Sequence, residues 1–170
     1  QVPFVQVIHN SYVWLERDQI EAYRTVDQHT ACYVCVSTQA LGYADLRLQL
    51  AVQKMLVIEN GIDPDSSAAP DARRALRHEL GLAETDFVFL QVASLQPAKA
   101  HRIAIHALAK VRQERPNVKL VCLGSEMNPM YAAAVRADVA QLDLQDAVIF
   151  AGHRSNACSF YAMADAFLLP

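Results

Sequence analysis

The stretch Val92-Ala-Ser-Leu-Gln-Pro-Ala-Lys-Ala-His101 leaves a run of strand-like residues, passes a proline and delivers Lys99 to the start of a helical pattern. A cation placed there is suited to holding a phosphate, because a helix start offers unpaired backbone N–H groups and the positive end of a dipole. The competing reading is a solvated charge whose stem packs while its head stays in water. Ser94 and Gln96 would add hydrogen-bonding groups to the same wall. Gly124 and Gly152 each close an apolar run, where glycine permits either close backbone approach to a ligand or a tight strand-to-helix turn. His153 and Arg154 come next, placed to meet a base or a phosphate, or else to lie in a solvated loop. His9 ends an earlier apolar run, at the same kind of edge, where a lone histidine is equally compatible with no special role.

The cysteines point away from metal and redox chemistry. Cys32 and Cys35 form a C-x-x-C, but within Ala31-Cys-Tyr-Val-Cys-Val36, a run that reads as a buried strand. Positions three apart in a strand face opposite ways, so the sulfurs should diverge. With no second C-x-x-C or His pair, no metal site is expected. Cys32, Cys35, Cys122 and Cys158 read as small core residues of a reducing compartment.

The 170 residues are 53% hydrophobic and 19% charged, enough to bury a sizeable core. A net charge of -3 without any basic cluster argues against a general nucleic-acid binder or membrane-surface binder, which need cations against phosphates. No apolar run reaches the roughly 18 residues of a membrane span, and the first residues lack the pattern of a signal peptide. The chain opens directly before Phe4-Val-Gln-Val-Ile8 and stops at Ala166-Phe-Leu-Leu-Pro170, which leads us to expect a piece of a longer protein.

Short apolar runs alternate with longer amphipathic ones, and these elements must position the candidates. Strands are expected at residues 4–8, 31–36, 55–58, 86–93, 118–123, 147–151 and 166–169. Helices are expected at 11–26, 39–50, 71–80, 98–113, 127–142 and 156–164, with Ser11 and Ser155 as N-caps. Pro70 and Gly81 bracket the third helix in the usual asymmetry. In the fourth, Ile103, Ala104, Ala107, Leu108 and Val111 are expected to form the apolar face. Strands separated by helices imply crossover connections and a parallel sheet covered on both sides, a doubly wound α/β pattern. Asn60-Gly61, which elsewhere would signal a hairpin, has no partner strand after it and leads into a polar, proline-bearing stretch. It reads as a linker dividing residues 1–60 from 61–170. In such sheets ligands bind beyond the carboxyl ends of the strands where strand order reverses. In the second part that point falls between strands 86–93 and 166–169, beside Ser94, Gln96 and Lys99.

Six segments in register carry a resemblance. They are Val57-Ile-Glu-Asn-Gly-Ile-Asp63, Arg74-Ala-Leu-Arg-His-Glu-Leu-Gly-Leu82, Asp86-Phe-Val-Phe-Leu-Gln-Val-Ala-Ser-Leu-Gln-Pro-Ala-Lys99, Val118-Lys-Leu-Val-Cys-Leu-Gly124, Val148-Ile-Phe-Ala-Gly152 and Tyr161-Ala-Met-Ala-Asp-Ala-Phe-Leu-Leu-Pro170. Together the chain resembles the glycosyl transferases group 1, the retaining family 4 glycosyltransferases.

The resemblance implies a fragment spanning parts of two Rossmann-like domains of a glycosyltransferase B-type fold. Residues 1–60 would be the last part of the acceptor domain and 61–170 the first part of the nucleotide-sugar domain, with Asn60-Gly-Ile-Asp63 at the hinge. It implies transfer of a sugar from a nucleoside diphosphate donor to a glycan or lipid-linked acceptor, in glycan or polysaccharide biosynthesis. No metal or resident cofactor is expected, and the location implied is cytoplasmic or at the inner face of the membrane. Lys99 matches the lysine that holds the diphosphate, while the partner arginine falls on Ser94. Ala100 stands for a glycine and Glu59 for a proline. His9 matches a histidine near the transferred sugar, and His153 a contact to the base. The family's paired glutamates would begin shortly after Pro170. A non-catalytic nucleotide-sugar-binding or protein-interaction module of the same fold is the alternative, with Ser94 recording a lost clamp. A flavodoxin-like or response-regulator-like domain would need acidic residues where Ala93 and Ser94 stand.

Overall fold

The computed structural model describes residues 3–11, 14–62, 69 and 71–170. The chain divides into two compact units, Gln1–Asp63 and Pro64–Pro170. Most of the stretch read as a linker lies outside the described residues, as does Pro70.

The first unit runs β1 (Phe4–Ile8), α1 (Arg17–Asp27), β2 (Thr30–Cys35), α2 (Thr38–Leu46) and β3 (Met55–Val57). Its strands pair in parallel in the order β1-β2-β3. Alternation along β2 sends Tyr33 and Cys35 into a core with Ile8, Ile20, Ala40, Ala44 and Leu48, while Cys32 is only half-buried. The two sulfurs therefore diverge as strand geometry requires. Helix α1 starts at Arg17, not near Ser11, because the Gln19 side chain accepts a hydrogen bond from the Glu16 N–H at 2.9 Å and caps the helix there. Residues 12 and 13 lie outside the described residues. Helix α2 ends at Leu46, four residues before the expected end at 50. Its N-cap Ser37 accepts from Ala40 N–H at 3.1 Å.

The second unit continues with α3 (Ala72–Glu79), β4 (Phe87–Val92), a 3-10 turn at Pro97–Lys99, α4 (His101–Glu114), β5 (Val118–Leu123), α5 (Pro129–Gln141), β6 (Val148–Gly152), α6 (Ala157–Met163) and β7 (Ala166–Phe167). All its strand pairs are parallel, in the order β6-β5-β4-β7. The period of two sorts the strands between two cores. Val88, Leu90, Val121 and Leu123 pack with Leu76, Phe160 and Met163, on the side of α3 and α6. Leu120 and Cys122 pack with Ala104, Ile105, Leu108, Ala132 and Val135, on the side of α4 and α5.

Three expectations need correction here. The buried stripe of α4 is His101, Ala104, Ile105 and Leu108, whereas Ile103 is 65% exposed and Val111 lies at the surface. Two apolar rows run side by side on this helix, and the sheet takes the one spaced i, i+3, i+4, i+7 from His101. The cap of α6 is Asn156, one residue after Ser155, within the usual spread of helix ends. Cys158, in the first turn of α6, is exposed and not a core thiol.

Helix α3 is tied to the strand ends by arginines. Arg77 is 1% exposed, and its guanidinium donates to the carbonyls of Ala83 (2.8 Å), Asp86 (2.6 Å) and Met163 (3.1 Å). Asp165 pairs with Arg77 and Arg73 and accepts from Val88 N–H at 2.8 Å. A charge that deep persists only when paired and hydrogen-bonded, and both terminal nitrogens are, while the buried Nε has no partner.

Candidate functional site

The first strand of the second unit lies between its second and its fourth, so strand order reverses at β4 and a crevice is expected between β4 and β7. Ser94 and Lys99 follow β4, Gly124 follows β5, Gly152 ends β6, and His153 and Arg154 follow it. The topology thus brings six candidates to one edge of one sheet. His9 stands at the same kind of edge in the first unit, exposed after β1.

Lys99 closes the 3-10 turn instead of opening the helix. Ala100 breaks the two apart with a left-handed backbone, φ 51° and ψ 31°, a conformation that costs a residue with a Cβ about 1–2 kcal/mol. The N-terminus of α4 is also less open to an anion than a bare helix start. Ile103 and Ala104 N–H both donate to the Ala100 carbonyl, and Arg102 N–H to the Tyr131 hydroxyl at 3.4 Å. Lys99 itself is half-buried, and among the described residues no carboxylate pairs with it. Two other cations nearby are already engaged. Arg154 binds Glu79 at 3.0 Å and the Ala151 carbonyl, and Arg102 grips Asp138 through two bonds of 2.6 and 3.0 Å. Arg102 and its hydrogen bonds hold the Asp138 carboxyl below the usual carboxylate range.

Ser94 points its chemistry at a neighbour: its hydroxyl accepts from the Gln96 amide at 2.9 Å. The turn carrying both is braced from the β5 side by Ala93 N–H to Leu123, Leu95 N–H to Ser125 and Asn128 N–H to the Leu95 carbonyl. Gly124 explains how that brace fits. A Cβ at Gly124 would lie 2.1 Å from the Ala93 carbonyl oxygen and 2.9 Å from Ser94 N. The group that approaches this glycine closely is the chain's own 93–94 turn. Gly152 has space around it but a φ of +68°, so it serves the backbone conformation of the strand exit.

Two residues under the turn escape sequence reasoning. Gln91 and His101 are both 0% exposed. The Gln91 amide donates to the Lys99 carbonyl at 2.6 Å, while its Oε1 and both imidazole nitrogens of His101 find no protein partner of ordinary geometry. Burial pushes the His101 pKa down, opposed by the neighbouring Ala93 carbonyl, and the ring stands edge-on to Tyr131. The available signal is a glutamine interrupting the apolar run Phe87-Val-Phe-Leu-Gln-Val92 of a strand buried on both sides.

Comparison with known proteins agrees with this architecture. A family model described as glycosyl transferases group 1 matches residues 72–170. A D-inositol 3-phosphate glycosyltransferase of Kineococcus radiotolerans is 30% identical over 125 residues, covering 69% of this chain and 29% of the relative. HepE of Anabaena, solved in complex with UDP and glucose, superposes with a TM-score of 0.88 at 23% identity, over 97% of this chain and 45% of that one. WaaG, a glycosyltransferase involved in lipopolysaccharide biosynthesis, gives a TM-score of 0.74 at 21% identity, over 99% of this chain and 50% of that one. The chain thus spans less than a third of the curated relative and about half of these solved structures, whose glycosyltransferase B-type fold it shares in part.

Proposed function

The chain belongs to the glycosyl transferases group 1 family, and from that premise we propose that the protein containing it transfers a sugar from a nucleoside diphosphate donor to an acceptor. The single observation that carries the reading to particular residues is the half-buried Lys99, without a carboxylate partner among the described residues, beside the strand-order reversal. A departing diphosphate gains negative charge in the transition state, and a fixed cation that need not reorganise stabilises it. Lys99 would supply that charge, with the Ser94–Gln96 turn adding neutral hydrogen bonds where the family's second cation would stand.

In this reading Gly124 and Gly152 shape the wall, His153 meets the base, and His9 hydrogen-bonds the transferred sugar. Arg154 acts through the loop it ties to Glu79. The charge of the departing diphosphate is met in this reading by Lys99, with no resident cofactor. The acceptor is a glycan or a lipid-linked molecule, reached from the cytoplasmic side. One observation favours the non-catalytic alternative: the Ser94 hydroxyl, which accepts from the Gln96 amide, has a single neutral donor to offer a leaving group where a guanidinium would offer a charged fork.

A thermal-shift panel with uridine, guanosine and adenosine diphosphate sugars identifies the nucleotide. We expect Lys99→Ala to weaken uridine diphosphate binding about 10- to 100-fold, the range for a charge-assisted hydrogen bond, and to slow transfer. Unchanged affinity and rate would overturn the assignment. Tight binding by the parent with no transfer to any acceptor would favour the binding module.

A further inference from the structure

We propose that Gln91 is a positioning residue for Lys99, acting from beneath the turn without touching the ligand; the inference rests on the reading of Lys99 as a diphosphate ligand. Gln91 is the penultimate residue of β4 and completely buried. Polar side chains are rare at such a place and costly unless bonded. Its amide makes one bond, a 2.6 Å donation to the Lys99 main-chain carbonyl across eight residues.

That carbonyl needs an outside partner because of the backbone at the next residue. The left-handed Ala100 interrupts the path from the 3-10 turn into α4, so the Lys99 carbonyl has no regular helical acceptor role to fill. The amide of Gln91 supplies the missing donor and fixes the peptide from which the lysine side chain departs. The other supports of the turn do not reach the Lys99 carbonyl: Leu95 N–H to Ser125, Asn128 N–H to Leu95, Lys99 and Ala100 N–H to the Gln96 and Pro97 carbonyls, and the Gln96 amide to the Ser94 hydroxyl. Gln91 is the side chain that joins the rigid strand to the residue carrying the charge. A long flexible cation contributes most to binding when its root is held, since less freedom is then lost on contact.

The test is a double-mutant cycle on the protein, with uridine diphosphate affinity read by titration calorimetry and folding by thermal unfolding. Gln91→Met keeps the volume and removes the donor. We expect it to weaken binding about 3- to 10-fold when Lys99 is present, the scale of one neutral hydrogen bond, and less than about 2-fold in the Lys99→Ala background, where nothing is left to position. Equal fractional losses in both backgrounds would show a merely structural residue and overturn the proposal, as would an unchanged affinity for Gln91→Met alone. Lys99→Ala without effect would instead overturn the functional reading of Lys99, and any role exerted through it. Should Gln91→Met fail to fold, Gln91→Asn runs the same cycle: its amide is one methylene too short to reach the Lys99 carbonyl.

Discussion

Substituting Gly124 by alanine places a methyl group 2.1 Å from the Ala93 carbonyl oxygen, 2.5 Å from its carbon and 2.9 Å from Ser94 N. None of these atoms is the end of a flexible side chain, so the clash is relieved only by moving one main chain away from the other. Ordinary contact lies at about 3.5 Å, which asks for a displacement on the order of 1 Å. The bonds standing in the way are short: Ala93 N–H to Leu123 and Gly124 N–H to Gly152, each 2.9 Å. Overpacking of this kind costs about 1–3 kcal/mol, and the weakened strand-end bonds put the expected loss near the upper end. For a unit of this size that corresponds to a fall in melting temperature on the order of 10 °C. The shift also displaces Ser94 and the turn leading to Lys99, so under the proposed function nucleoside diphosphate affinity should fall with stability. Differential scanning calorimetry and titration of Gly124→Ala check both. A variant that melts within about 2 °C of the parent, well short of the expected fall, and binds the nucleotide equally would show that the approach of β5 to the 93–94 turn is not what this glycine provides.

Burial depresses the pKa of His101 below its ordinary 6.5, so the folded state takes up fewer protons than the unfolded chain. The stability tied to this ring is then fully present above about pH 6.5 and is lost as the pH falls toward the depressed folded value, by at most about 1.4 kcal/mol per pH unit. Between about pH 7.5 and about pH 5.5, a window spanning the ordinary histidine value, urea midpoints should therefore fall further in the parent than in His101→Phe, and equal falls would refute the assignment. Burial also pushes the Cys122 thiol up to about 12 and raises that of Cys35, whereas Cys158 is exposed. An aromatic disulfide reagent at about pH 8 should modify Cys158 first and reach Cys35 and Cys122 only on unfolding; mass spectrometry showing Cys122 modified as fast as Cys158 would contradict the burial.

The fold is legible in the sequence wherever one physical pattern dominates. Val118-Lys-Leu-Val-Cys-Leu123 can satisfy both of its faces only inside a sheet covered on both sides, and β5 has those bounds. The pairing of β4 with β7 follows from the reversal rule of doubly wound sheets and is observed. Reading falters where two patterns compete. Helix α4 offers two apolar rows, and periodicity cannot say which one the sheet will cover, so Ile103 is misplaced on the inner face. Helix α1 is placed by a local exchange between Glu16 and Gln19, which outweighs the cap expected at Ser11. At the site, Ser94, Lys99 and Gly124 are visible because their types suit a strand-to-helix turn. Gln91 and His101 are not, since one sits in an apolar strand and the other in a helix, and only the path of the chain brings both beneath the turn.

The buried arginine of α3 has a consequence for the order in which this unit can assemble. Arg77 leaves the ribosome early, yet the Met163 carbonyl and Asp165 that share its charge are 86 and 88 residues further along. Until they arrive, docking α3 would enclose a cation with part of its hydrogen-bonding shell missing, at a cost of about 3–5 kcal/mol. Strand β7 in turn pairs through only two residues, Ala166 with Phe89 and Phe167 with Leu90, and relies on Asp165 to hold its start against Val88. Docking of α3 and pairing of β7 are therefore coupled, a single event with a long loop to close. The β4–β7 crevice is expected to form only after Asp165 has been made.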